Sequence, residues 1–168
     1  GNAYNCFFRE NTAERDGGAI YLGNATDCTN KNVILKATVS DGRVEHFDGE
    51  FWVSGSTFEV STNGTYQFRV TDAAGNVTQK SVTVNKIDKI APDKPVAKAD
   101  ITSVTSGNVT VSATFAEDSV RNEYSFNVRT WLTYSREIVF DENGTVYFRS
   151  TDAAGNVSAI TKYAVTNI

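Results

Sequence analysis

The segment Asn63-Gly64-Thr65-Tyr66-Gln67-Phe68-Arg69-Val70-Thr71-Asp72-Ala73-Ala74-Gly75-Asn76-Val77 returns almost unchanged as Asn143-Gly144-Thr145-Val146-Tyr147-Phe148-Arg149-Ser150-Thr151-Asp152-Ala153-Ala154-Gly155-Asn156-Val157. A block this long, written twice, obliges both halves of the chain to fold by the same local rules. The match extends upstream. Asn32-Val33-Ile34-Leu35-Lys36-Ala37-Thr38-Val39 parallels Asn108-Val109-Thr110-Val111-Ser112-Ala113-Thr114-Phe115, and Trp52 and Trp131 fall between the matched blocks. Preserved order with small insertions marks duplicated modules. The stretch Ile87-Asp88-Lys89-Ile90-Ala91-Pro92-Asp93-Lys94-Pro95 separates the copies and holds both prolines. Proline fixes φ and cannot donate to a ladder, which suits a short stiff linker. The modules are therefore placed at residues 31–90 and 91–168.

Within each module the apolar pattern has a period of two. Val33, Leu35, Ala37 and Val39 alternate with Ile34, Lys36 and Thr38, while Tyr66, Phe68 and Val70 alternate with Gln67 and Arg69. This is the signature of strands with one buried face. Turn residues (Gly, Asn, Asp) recur about every 8–12 residues and no long helical pattern appears, which predicts an all-β sandwich. Strands are expected near 33–39, 43–47, 50–53, 57–60, 65–71 and 77–84, then near 95–100, 108–115, 122–127, 130–133, 137–140, 145–151 and 157–165. Residues 24–31 are the expected first strand of module one.

The front of the chain repeats differently. Gly1-Asn2-Ala3-Tyr4-Asn5-Cys6 and Gly23-Asn24-Ala25-Thr26-Asp27-Cys28 agree at four of six positions with an offset of 22 residues. That period points to a solenoid coil, with Asn stacking, Gly turning corners, and Ile or Phe pointing inward. Phe8-Arg9-Glu10-Asn11 followed by Gly17-Gly18-Ala19-Ile20 resembles the repeats of chlamydial-type polymorphic outer-membrane proteins. The resemblance implies one terminal coil of a right-handed parallel β-helix at 1–30, in the manner of an autotransporter passenger. Stacked coils would set Cys6 and Cys28 about 4.8 Å apart. Their side chains would run parallel, which favours buried thiols over a disulfide.

Composition narrows the function. The net charge of −4 and pI near 5.0 argue against nucleic-acid binding. One histidine and two cysteines leave little for a zinc site. No apolar run approaches the roughly 20 residues that span a bilayer as a helix. Without a methionine the chain is read as a piece of a longer protein.

The duplicated block resembles the signature N-G-T-x-x-F-R-x-T-D-A-A-G-N-V of bacterial Ig-like domains, the tandem modules of large surface and secreted proteins. The resemblance covers roughly 31–168 and implies two Ig-like sandwiches in tandem. Tyr66 stands where that fold carries a tyrosine corner, whereas Val146 replaces it in module two. Neither module contains a cysteine, so no inter-sheet disulfide is expected.

Most chemistry-bearing residues have a structural role open to them. Asp72 with Asn76 and Asp152 with Asn156 read as tight turns in which Gly and Asn take positive φ. The alternative is a calcium site using Asp72 or Asp152 with linker Asp88 or Asp93, although calcium takes roughly six to eight oxygens. His46 reads as an ordinary strand residue, and Asp48/Glu50, Glu117/Asp118 and Asp141/Glu142 as solvated turns rather than a catalytic pair. Trp52, Trp131 and Tyr134 read as core, with a carbohydrate platform as the alternative. Sequons at Asn24, Asn63, Asn76, Asn108, Asn143 and Asn156 are better explained by turn chemistry than by glycosylation.

The expected function is a non-catalytic structural or adhesive segment, with no cofactor, of an extracellular or bacterial cell-surface protein. Its partners would be adjacent repeats and a host or matrix protein or glycan, with neither nucleic acid nor membrane insertion. The alternative is a specific carbohydrate- or host-protein-binding module, with calcium as an optional ligand.

Overall fold

The computed structural model describes Ile20–Tyr21 and residues 30–168. Every regular element among them is a strand, and all pairing is antiparallel. The chain forms two compact units, the first ending at Lys89 and the second running Ile90–Ile168.

The first unit holds β1 (Ile20–Tyr21), β2 (Val33–Lys36), β3 (Thr38–Val39), β4 (Arg43–Phe47), β5 (Trp52–Ser54), β6 (Thr57–Val60), β7 (Gly64–Thr71) and β8 (Val77–Val84). One sheet has the order β5-β4-β7-β8, and the facing layer is made of the pairs β2-β6 and β1-β3. The expected strand at 33–39 is divided at Ala37: up to there it pairs with β6, ending with the Ala37 N–H on the Ser56 carbonyl at 2.8 Å, and Thr38–Val39 pair with β1 instead. The edge beside β3 is occupied by β1, with Ile20 opposite Val39 and Tyr21 opposite Thr38. The pairing strand thus lies upstream of the expected 24–31, of which residues 24–29 are outside the described part. The expected β-helix coil also lies outside the described residues apart from β1 and Asn30, as do Cys6 and Cys28; β1 itself pairs antiparallel.

The second unit holds β9 (Val96–Ala99), β10 (Val109–Thr114), β11 (Ser119–Ser125), β12 (Leu132–Thr133), β13 (Ile138–Phe140), β14 (Gly144–Asp152) and β15 (Thr161–Val165). Its sheets run β13-β10-β9 and β12-β11-β14-β15. This seven-strand, two-sheet order is an Ig/fibronectin-like sandwich. The last strand is shorter than the expected 157–165, because only an isolated bridge between Thr151 and Val157 precedes it.

Each core draws on both layers of its own unit. Val33 and Leu35 meet Phe68, Val70, Val82 and Val84 in the first, and Val109 and Val111 meet Phe140, Val146, Phe148 and Val165 in the second. Phe68 and Phe148 are fully buried, each contributing roughly 1.5–3 kcal/mol through burial of apolar surface. Tyr66 donates its hydroxyl to the Thr62 carbonyl at 2.7 Å, which is the tyrosine corner of module one. Val146, its counterpart, is buried in the core.

One cross-strand pair is apolar in the first unit and polar in the second. Val44 faces Val70 in the first unit, whereas Asn122 faces Ser150 in the second. Asn122 Oδ1, Ser150 Oγ and nearby Ser119 Oγ are buried without a hydrogen-bond partner. Unpaired buried polar groups cost about 1–3 kcal/mol each. Installing the module-one pair, Asn122→Val with Ser150→Val, is therefore expected to stabilise the second unit by about 1–3 kcal/mol. A urea midpoint at or below that of the parent chain would contradict this.

Candidate functional site

The strand period sets Arg43 and Glu45 on the same outward face of β4, and the register sets Arg69 of β7 directly across from Glu45. Arg69 Nε donates to Glu45 Oε2 at 2.7 Å, and Arg43 Nη2 lies 3.3 Å from Glu45 Oε1. The Arg69 guanidinium sits over the Trp52 ring, 4.4 Å from its centroid. The second unit repeats the assembly. Arg149 faces Glu123 and donates to it at 2.8 Å, Arg121 lies 3.7 Å from Glu123, and the Arg149 guanidinium is 4.1 Å from the Trp131 centroid. Both glutamates are buried. The hydrogen bond from Arg69 outweighs burial and, with the charge of Arg43, holds the Glu45 carboxyl below its ordinary value.

Trp52 and Trp131 are half-buried, and each has one ring face covered by arginine. A sugar stacking on either would have to use the opposite face. Tyr134 is tied to the core: its hydroxyl accepts the Ala113 N–H at 3.0 Å, and its ring packs on Phe115 and Phe148.

The Asp-Ala-Ala-Gly-Asn turns are closed from within. Asp72 Oδ1 accepts the N–H groups of Ala74 and Asn76, and Oδ2 accepts the Asn76 side-chain amide at 2.8 Å. Asp152 accepts the Asn156 N–H and side-chain amide in the same way. Positive φ falls on Gly75 (89°) and Gly155 (90°) alone in these turns. The expectation that Asn shares it is corrected: each Asn bridges the turn through its amide instead. The amide and N–H of Asn76 hold the Asp72 carboxyl below its ordinary value. Burial pushes Asp152 up, but hydrogen bonds from Asn156, Gly155 and Ala154 together hold it below.

Both calcium candidates in these turns thus already spend their carboxylates on turn donors. Asp88 of the first unit and Asp93 of the second are exposed. Among the described residues no three Asp, Glu, His or Cys side chains gather into a possible metal site. His46 is buried, its ring stacked on Phe58 at 4.4 Å. Glu117, Asp118, Asp141 and Glu142 are exposed, and Asp48 Oδ1 closes a turn by accepting the Glu50 and Phe51 N–H groups.

Two sequon asparagines have a task the sequence did not disclose. Asn63 accepts the Ile87 N–H and donates to the Ile87 carbonyl, both at 2.9 Å. Asn143 makes the same two bonds to Ile168 at 3.0 Å. These latches fasten the segment leaving each last strand to the turn before the long central strand. Asn76 and Asn156 serve the aspartate turns, Asn108 is exposed, and Asn24 lies outside the described residues.

The first unit also carries a cleft. The end of β4, the middle of β6 and the start of β7 enclose a cleft of about 300 Å³, walled by Phe47, Phe58 and Tyr66 and edged by Asp48, Thr65 and Gln67. No spacing or composition signal marks it, because its residues come from three strands and a turn.

No family model and no curated protein matches the chain. Among solved structures it is similar to fibronectin(III)-like modules of Clostridium thermocellum CbhA, with 14% identity, TM-score 0.39, and coverage of 86% of this chain and 92% of that one. It is also similar to a β-glycosidase from Bacteroides vulgatus, with 13% identity, TM-score 0.33, and coverage of 89% of this chain. The chain spans only 25% of that glycosidase. Likenesses this weak bear on neither activity nor ligand.

Proposed function

We propose that this chain is a non-catalytic structural and adhesive segment of a large bacterial cell-surface or secreted protein. In this reading two bacterial Ig-like modules follow a β-helix coil and hold neighbouring parts of the chain at a set spacing. The observation that carries it is the repetition, in each unit, of a buried glutamate bound by arginine beneath tryptophan. Repetition with one fastening scheme per module is what a beaded spacer requires, since each bead must resist unfolding alone. The asparagine latches support the same role, because they secure the exit of each module. Adjacent repeats of the same chain are its constant partners, and a host or matrix protein or glycan is the surface it would meet. Weak contacts repeated along many modules sum by avidity.

Single-molecule pulling of the chain between inert handles tests this. Two separate unfolding events are expected, each releasing about 250 Å of chain. One event releasing both lengths together would contradict the reading, as would turnover of a glycoside or peptide substrate that disappears in His46→Ala.

A further inference from the structure

The cleft of the first unit has features that a spacer does not need. Its walls are prearranged. Tyr66 is fixed at its hydroxyl by the Thr62 carbonyl, and its ring stands nearly perpendicular to Phe58, at 76° with centroids 5.8 Å apart. Phe58 is backed by the stacked His46 ring. The rim offers an acceptor and a donor. Asp48 Oδ1 is engaged by two turn N–H groups, which leaves Oδ2 without a partner among the described residues. Gln67 Oε1 accepts from Gln79 at 2.9 Å, which leaves its Nε2 hydrogens uncommitted. Thr65 adds a hydroxyl that shares a 3.2 Å contact with Thr83.

The second unit lacks this arrangement at the same register positions. Ile138 stands where Phe58 stands, as shown by their partners Val111 and Leu35 on the neighbouring strands. In the duplicated block Val146 replaces Tyr66, and Tyr147 replaces Gln67. The aromatic walls and the amide are therefore particular to the first copy, where Phe58 and Tyr66 also pack against the core.

We infer that the cleft bounded by Phe47, Asp48, Phe58, Thr65, Tyr66 and Gln67 binds a single neutral hexopyranose unit of a glycan. A sugar ring has an apolar C–H face that lies against aromatic carbon, and hydroxyls around its edge that both donate and accept. The carboxylate takes one hydroxyl as donor, and the glutamine amide supplies another with a hydrogen. A cationic ligand would use the rings and the carboxylate, but the amide hydrogens of Gln67 would face its positive charge. The volume suits one ring rather than an extended oligosaccharide. This inference goes beyond the spacer reading and does not depend on it, since a spacer needs no occupied cleft.

The test is a titration of the full 168-residue chain, followed by two-dimensional amide NMR. Methyl β-D-glucopyranoside, methyl β-D-galactopyranoside and methyl α-D-mannopyranoside are the probes, with tetramethylammonium chloride as the cationic comparison. At least one glycoside is expected to give saturable shifts centred on Asp48, Phe58 and Gln67, with Kd on the order of 1 mM for a ligand of this size. Gln67→Tyr installs the module-two residue and fills the cleft while the strand is kept. It is expected to weaken binding by about tenfold or more, a difference of about 1.4 kcal/mol. Tyr66→Val, again the module-two residue, should do likewise, and unchanged shifts at Arg43, Thr71 and Val77, at the far end of the same sheet, would show the fold intact. Absence of saturable shifts with all three glycosides would overturn the inference. So would shifts undiminished in the folded Gln67→Tyr chain, or a saturable response to tetramethylammonium alone. None of these outcomes affects the pulling experiment, so the spacer reading and the sugar site fail separately.

Discussion

Arg69→Ala is expected to destabilise the first unit by about 1.5–3 kcal/mol at pH 7, the range for losing a hydrogen bond to a charged group. The substitution leaves the Glu45 carboxylate buried with only Arg43, whose side chain is 64% exposed. It also uncovers the Trp52 ring, removing a cation–π contact. The pH dependence separates this from a packing defect. In the parent chain Glu45, Asp72 and Asp152 are all held below their ordinary values. Depressed carboxyls contribute stability that is complete above their unfolded values, near pH 4, and is lost as pH falls through the folded ones. In Arg69→Ala the main cause of the Glu45 depression is gone and burial pushes that carboxyl up. The defect should therefore be greatest at neutral pH and shrink as Glu45 is protonated. Urea midpoints at pH 7 and pH 4 check this, and a defect independent of pH would point to packing alone. Replacing both partners with leucine should recover most of the loss.

Gly42→Ala is expected to cost about 3 kcal/mol, combining left-handed strain with a backbone clash. Gly42 has φ of 100°, and a Cβ there would lie 2.7 Å from the Thr71 carbonyl oxygen and 2.8 Å from Val70 Cγ2. The neighbour that would have to move is backbone of the central strand β7, so relaxation is expensive. The loop is tight for a local reason: the Gly42 N–H binds Asp41 Oδ1 at 2.7 Å and the chain turns straight into β4. The second unit makes the same connection through Phe115 to Asp118 with no glycine. A urea midpoint for Gly42→Ala within experimental error of the parent would contradict the strain argument.

Much of this fold was legible because strands with one buried face write their geometry at period two. Val33/Leu35, Phe68/Val70 and Val109/Val111 announced both their elements and their inward faces. The duplicated block added register by analogy, and the aspartate turns were readable because Asp, Gly and Asn at that spacing have few other uses. The pairing of β1 with β3 was not legible, because two residues carry no periodicity. The Glu45–Arg69–Trp52 assembly was hidden for a different reason. Its members lie on three strands and meet only through register, which a linear pattern does not encode. The cleft shares that difficulty, since Phe47, Phe58 and Tyr66 each read as ordinary strand aromatics until the layers are stacked.

The central claim is that the chain contains two self-contained copies of one sandwich, each secured by its own core and its own glutamate–arginine–tryptophan assembly. Native-state amide hydrogen exchange on Arg149→Ala tests it most directly, because exchange reports opening strand by strand. Protection is expected to fall throughout β10, β11, β14 and β15 while β4, β7 and β8 keep their parent values. Loss of protection in both units to the same degree would contradict the account.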